Sequence, residues 1–372
     1  MGSNTYLVLG AGVGKAIAFI LARSSHTQMV AIGDVDFNKT TDACRFVNKF
    51  SRARCVSIRF DAKENKNPVE LFKKFDVVIS ALPAKYNLRL AEAAIQANVH
   101  FCDLGGIVEV TEEMLQLNDK YPNMPVSVVP DCGLMPGLGV IVAKKLMNDL
   151  DGAESLEILV GGLPQKPQPP TFYQKVFHPE GLKHICYDMA PILSNGEVVL
   201  VKPFHDYGQL VVPELQRFSK KFNGRIEAFV TAGASLAAWS FQDAGVRSFS
   251  EKTVRWPGFV DFFKNVPSDE FELAVEKNLT TPVNSKNPDL VWMRVTAKSE
   301  LTGQKSMTLL DLYDSTTGLT AMQRTTGFPT AIMAEMMAER KTKPGVRTPE
   351  NAFDRLGIDQ VIHKVSYLIP LG

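Results

Sequence analysis

Cysteine is sparse in this sequence, with five residues (Cys44, Cys55, Cys102, Cys132 and Cys186) and no Cys-x-x-Cys pair among them. A disulfide framework and a thiolate zinc cluster both need paired spacings, so neither is expected, and a reducing, cytoplasmic setting is. Charge of one sign is also missing, because 41 basic residues face 40 acidic ones for a net charge of +1. Without a one-sided field to attract phosphodiesters or anionic headgroups, neither nucleic acid nor a membrane surface is an expected partner. Long apolar runs are lacking too. The stretch from Val126 to Val142 comes nearest, but Pro130, Asp131 and Pro136 interrupt it, so it is not a spanning helix. The apolar residues Tyr6 to Leu9 follow no basic region and run into Gly10, Gly12 and Gly14, unlike a signal peptide.

What is present is a chain of 372 residues, 45% of them hydrophobic, which is enough to bury a large core and to form two domains. Short β-branched runs recur at Tyr6 to Leu9, Met29 to Ile32, Cys55 to Ile58, Val77 to Ser80, His100 to Cys102 and Val126 to Val129, with amphipathic stretches between them. Such alternation calls for parallel strands joined by helical crossovers, and so for a doubly wound sheet. The texture changes near residue 132. A helical pattern follows Gly137, and then Pro164, Pro167, Pro169 and Pro170 exclude helix and central strand. Strands are expected around Leu156 to Val160, Val198 to Val201, Leu290 to Ala297 and Ser306 to Leu312, with a helix over Asp269 to Glu276. Ala331 to Arg340 reads as helical, and Thr348-Pro349-Glu350 sets a cap residue before a proline at a first helical position.

The first strand leads directly into Gly10-Ala11-Gly12-Val13-Gly14 and a helix-forming Lys15-Ala16-Ile17-Ala18. Exposed N–H groups and the helix dipole at such a turn suit a pyrophosphate. A full dinucleotide fingerprint has two residues between its second and third glycines; here Val13 stands alone, so the turn must close differently. Gly14-Lys15 does not make a P-loop, because residue 9 is Leu and residue 16 is Ala. Asp34 ends the second strand twenty residues past Gly14, where a carboxylate accepts from ribose hydroxyls and repels a 2′-phosphate, which favours NAD over NADP. Ser80-Ala81-Leu82-Pro83 ends the fourth strand, and Asp103 and Asp131 end the fifth and sixth; ligands of parallel sheets bind beyond such ends. Either aspartate serves equally well as a cap or loop acid.

The segments Asp103-Leu104-Gly105-Gly106, Pro130-Asp131-Cys132-Gly133 with Pro136-Gly137, Gly161-Gly162-Leu163-Pro164 and Thr325-Thr326-Gly327-Phe328-Pro329 resemble the saccharopine dehydrogenase family. The Pro-rich loop before Tyr173, Phe177 and Glu180-Gly181-Leu182 is most similar to its lysine 6-dehydrogenase branch. Glutamate-forming members read Leu-Asp-Pro-Gly where this chain has Leu134-Met135-Pro136-Gly137, and relatives often carry a histidine where Phe259 follows Arg255-Trp256-Pro257-Gly258. The resemblance implies a Rossmann dinucleotide-binding domain over residues 1–131, with residues 331–372 packing back on it, and an α+β substrate and dimerisation domain over residues 132–330. It further implies an active site in the cleft between them, a homodimer, and oxidation of the lysine ε-amino group by NAD. The alternatives are a saccharopine-type substrate, a polyamine-derived imine reduced by NADPH, or a non-catalytic nucleotide-binding regulator.

Oxidation of an amine has requirements of its own. An ammonium with a pKa of about 10.4 must lose a proton before hydride leaves its carbon, and water must then attack the imine. Asp103, Asp131, Tyr173 and His178 are the candidate bases. Arg225 or Arg255 suits the α-carboxylate of a free amino acid, and Thr326 is a further substrate contact. Blander roles stand beside these: His178 as a structural or surface residue, Arg255 stacked on Trp256, Cys132 as packing, and Thr325 to Pro329 as a turn that fixes a helix start.

Overall fold

The computed structural model describes residues 4–64 and 67–372, which divide into two units, Met1–Ile141 with Thr326–Leu368 and Val142–Thr325 with Ile369–Gly372. In the first unit the strands β1 (Asn4–Leu9), β2 (Thr27–Asp34), β3 (Arg54–Arg59), β4 (Val77–Ser80), β5 (His100–Asp103) and β6 (Ser127–Val129) fall on the six β-branched runs. They and a late short strand, Gly345–Val346, form one all-parallel sheet in the order late strand, β6, β5, β4, β1, β2, β3. A sheet covered by helices on both faces reads as continuous apolar runs, and Leu7, Val8, Val30, Ile32, Val78 and Ile79 have no solvent exposure. The chain reverses direction across the sheet between β1 and β4, and the loops after these neighbours stand together on the carboxyl rim.

The second unit is built on a mixed sheet. Its strands are β7 (Ser155–Pro164), β8 (Ala190–Ser194), β9 (Glu197–Val201), β10 (Gly208–Val211), β11 (Arg225–Val230), β12 (Ser248–Arg255), β13 (Asp289–Ser299) and β14 (Gly303–Leu312); the late strand of the first unit is β15. The order is β10-β11-β12-β7-β13-β14, with the β8–β9 hairpin attached to β12 through Leu193 and Phe249. Only β12 and β7 run parallel within it. One face buries Trp256, Trp292 and Leu163; a second apolar cluster joins Tyr173, Phe229, Phe259, Phe263 and Phe271.

Two local expectations are corrected. Pro164 closes β7, a central strand, paired opposite Asp289; a proline is tolerated as a strand's last residue where no further ladder N–H is needed. Thr325 to Pro329 is not a turn but lies inside the helix Ala321–Ala338. Pro329 removes one N–H, and threonine hydroxyls bond back along the helix, Thr325 Oγ1 to the Ala321 carbonyl at 2.9 Å and Thr330 Oγ1 to the Thr326 carbonyl at 2.7 Å. Gly327 is the close-packing position, since a Cβ there would stand 2.9 Å from the Ala16 Cβ. No helix among the described residues is long and apolar enough to cross a membrane.

Candidate active site

The glycine turn after β1 is closed by the acid that sequence spacing singled out. Asp34 Oδ2 accepts the Ala11 N–H at 2.9 Å while its Oδ1 accepts the Asp36 N–H at 3.0 Å. The helix Gly14–Leu21, α1, starts at Gly14, and the amides of Ala16 and Ile17 bond to the Val13 carbonyl, so the single-residue spacing still delivers a helix N-terminus. The three glycines do different work. Gly10 has φ +98°, and a Cβ there would lie 2.5 Å from the Ala81 carbonyl oxygen; at Gly14 it would lie 2.8 Å from Val8 Cγ1. A Cβ on exposed Gly12 would meet nothing within 4 Å. The outer two are therefore fixed by the protein's own packing, whereas the space above the middle one is clear of protein atoms. Ser80 is buried and its hydroxyl bonds Asn87 Oδ1 at 2.8 Å, so it shapes the rim from below, while Ala81, Leu82 and Pro83 form the half-buried edge beside Gly10. The clear space at exposed Gly12, a helix N-terminus and a carboxylate at the end of β2 are an arrangement that fits a dinucleotide.

Asp103 and Asp131 are brought together on the same rim. Both are buried, and Asp103 Oδ1 accepts the N–H groups of Gly105 at 2.7 Å and Asp131 at 3.1 Å. Asp131 has φ +64°, and its Oδ1, which accepts from Thr111 at 3.3 Å, occupies the space a Gly105 side chain would need. Burial first, and the negative charge of Asp131 second, push the Asp103 carboxyl up to about 7, against the pull of the two amide donors. Its Oδ2 has no hydrogen-bond partner among the described residues. A carboxyl that changes protonation near neutrality and keeps one oxygen uncommitted can take up or return a proton. Next to it, Cys132 Sγ points at the Val129 carbonyl and burial drives its thiol well up, so packing accounts for it.

In the second unit Arg255 ends β12, buried, with its guanidinium 4.8 Å from the Tyr173 ring centre and 5.3 Å from that of Phe259. Stacking on Trp256 is thus corrected: consecutive strand residues point to opposite faces, and Trp256 lies against Phe222 with its N–H on the Pro164 carbonyl. Arg255 Nη1 bonds the Val254 carbonyl, and Nε has no partner among the described residues. Tyr173 is pushed up to about 12, chiefly by burial, so it stays a neutral phenol. Sequence reading missed two neighbours. Glu251, buried and raised to about 8 mainly by that burial, accepts from Thr231 Oγ1 at 2.6 Å; Glu227 accepts the N–H groups of Gly258 and Val260. The signal for the first was the alternation Glu251, Thr253, Arg255, polar residues on one face of a strand.

The remaining candidates lie elsewhere. His178 caps the helix Pro179–Tyr187 through Nδ1 on the Glu180 N–H, its side chain 72% exposed. Arg225 opens β11 on the surface. Thr326 sits on the helix Ala321–Ala338 with its methyl 3.5 Å from where a Gly133 Cβ would be, beside the Asp131 loop.

Comparison with known proteins gives two domain matches, a saccharopine dehydrogenase NADP binding domain over residues 6–129 and a saccharopine dehydrogenase C-terminal domain over residues 133–366. The alpha-aminoadipic semialdehyde synthase of Mus musculus is 28% identical over 205 residues, 52% of this chain and 21% of that protein. The Schizosaccharomyces pombe saccharopine dehydrogenase (NADP(+), L-glutamate-forming) is 20% identical over 284 residues, 70% of this chain and 58% of that enzyme. The chain thus spans about a fifth of the first relative's length and under two thirds of the second's. The apo saccharopine dehydrogenase of Saccharomyces cerevisiae (L-Glu forming) superposes with a TM-score of 0.74 at 13% identity, covering 100% of this chain and 99% of that one, which shows the same fold.

Proposed function

Since the chain belongs to the saccharopine dehydrogenase family, we propose that it oxidises the ε-amino carbon of L-lysine with NAD. The observation that carries this reading is the carboxyl rim of the first sheet, where an Asp34-closed glycine turn and the buried Asp103–Asp131 pair are built on one set of strand ends. In balance, lysine, NAD and water give the semialdehyde, NADH, ammonium and a proton, and the semialdehyde loses water as it cyclises with the α-amine to a piperideine carboxylate. When bound, the cofactor supplies the hydride acceptor. The start of α1, beside exposed Gly12, would hold its pyrophosphate, and Asp34 would take its ribose hydroxyls. Asp103 accepts the proton that the substrate ammonium must lose and returns one as the imine is hydrolysed. Of the second unit's cations, Arg255 is the one suited to an α-carboxylate, buried and with an uncommitted N–H.

A saccharopine-type substrate is the second reading, favoured by the names of the relatives. Against it stands Met135 at the position where glutamate-forming members have an aspartate. The test is formation of NADH or NADPH by the purified chain with L-lysine, saccharopine and other amino acids, each with NAD and with NADP. Lysine with NAD is the expected pair; turnover of saccharopine alone overturns the substrate, and failure with all of them overturns the activity.

The names of the Schizosaccharomyces pombe enzyme and of the matched N-terminal domain carry NADP, whereas Asp34 supports NAD here. We expect kcat/KM for NAD to exceed that for NADP by about tenfold or more, and Asp34→Ala to narrow the ratio by removing both the ribose acceptor and the charge that repels a 2′-phosphate. An NADP preference in the unaltered protein would contradict the assignment.

The proton-transfer role predicts a pH profile. An acid acting as base works in its ionised form, so kcat/KM should rise with pH through about 7, where Asp103 ionises. The apparent value belongs to the Asp103–Asp131 pair, and a further rise nearer 10 belongs to the substrate amine. Asp103→Asn should remove the lower limb and cost roughly 100-fold or more in rate. Persistence of that limb in the variant would reassign the base.

A further inference from the structure

Two of the cysteines that sequence spacing left scattered, Cys44 and Cys55, meet across a helix and a strand. Cys44 lies in the helix Phe37–Phe50, α2, and Cys55 in β3, and their sulfurs approach to 2.9 Å, with the Cys55 thiol donating to Cys44. Both are free and buried, and the contact is held from the backbone. Asn48 bonds Cys55 on both sides, its Nδ2 to the Cys55 carbonyl at 2.9 Å and its Oδ1 from the Cys55 N–H at 2.8 Å. A disulfide needs sulfurs about 2.05 Å apart, so closure asks for under about 1 Å of movement.

We propose that Cys44 and Cys55 form an intramolecular disulfide when the folded protein meets hydrogen peroxide. The environment divides the two roles. The hydrogen bond from Cys55 and further donors at Ser57 and Ile32 bring the Cys44 thiol down to about 7 despite its burial, while the bond to Cys44 and burial push the Cys55 thiol up. Cys44 is therefore the attacking thiolate. Its sulfur bonds one peroxide oxygen, the O–O bond breaks, and the second oxygen leaves as hydroxide and is protonated to water. Cys55 sulfur then attacks the sulfenic sulfur, the S–O bond breaks, and that oxygen leaves as water with the Cys55 proton. Two thiols are oxidised and one peroxide is reduced to two waters. Cys132 and Cys186 do not compete, because burial drives the first well up and the second to about 12, and Cys102, without solvent exposure, is partnered with Cys132.

The experiment treats the native full-length chain with hydrogen peroxide, blocks residual thiols after unfolding, and maps tryptic peptides. Trypsin places Cys44 in the peptide Thr40 to Arg45 and Cys55 in Cys55 to Arg59. The expected product is these two peptides linked, two hydrogens lighter than their sum, and separated by dithiothreitol. Cys55→Ser should leave Cys44 as a sulfenic acid trapped by dimedone, and Cys44→Ser should leave Cys55 a free thiol. Both peptides recovered unlinked, whether unreacted or singly oxidised, or Cys44 linked to another cysteine, would overturn the proposal. The wild-type map decides this even if a serine variant folds poorly, and it is independent of any substrate.

Discussion

Arg255→Met is expected to raise KM for the amino-acid substrate about 30- to 1000-fold while leaving NAD affinity unchanged. The guanidinium is buried against two aromatic rings, keeps one N–H uncommitted, and is lowered in pKa by its burial. Tyr173 hydrogen-bonds it and Glu251 lies near, but the cost of burial remains the larger effect, and a substrate carboxylate offsets that cost through paired charge-assisted hydrogen bonds. Truncating one partner of a buried charged pair typically loses about 2–4 kcal/mol, which sets the expected range. Arg255→Lys should fall in the same direction, since a single ammonium cannot reproduce the planar fork or the stacking on Tyr173 and Phe259. Steady-state kinetics beside a melting curve separate the roles. A raised KM with intact melting supports a substrate contact, and an unchanged KM in a folded variant makes Arg255 a packing residue.

The second large effect contrasts two glycines in one loop. Gly10→Ala forces a side chain onto φ +98° and sets its Cβ 2.5 Å from the Ala81 carbonyl oxygen. Strain and overpacking together should cost about 3 kcal/mol or more, a fall in melting temperature of roughly 6–12 °C for a unit of this size. Gly12→Ala meets no protein atom within 4 Å, so melting should be unaltered. Its cost should appear only in NAD binding, about tenfold or more in Kd, because the added methyl stands where the pyrophosphate approaches the backbone. Equal effects of the two variants on melting would mean that Gly12 is held by the protein and not kept open for a ligand.

The first sheet was legible because parallel buried strands carry apolar residues on both faces, and six such runs stood out between helical stretches. Asp34 was legible for a related reason: its distance from the glycines and its place at a strand end are set by the geometry of one strand–helix–strand unit. Strands β11 and β12 escaped notice because their buried faces carry Glu227, Thr253, Glu251 and Arg255, which a hydrophobic pattern scores as surface. A pattern that fails at buried polar residues is what a functional site would produce, and these residues surround Arg255. Pro329 misled in the opposite way, since proline usually ends a helix, yet here neighbouring hydroxyls bond back to the carbonyls around it. The Cys44–Cys55 contact was invisible because a helix and a returning strand, not a short motif, bring the two sulfurs together.

The most direct test of the account follows nitrogen. L-lysine carrying a heavy nitrogen isotope only at its ε-amino group is incubated with the protein and NAD, and released ammonium is compared with NADH formed. Labelled ammonium in equal amount to NADH is expected; unlabelled ammonium, or NADH formed with the label retained in the organic product, would contradict oxidation at the ε-carbon.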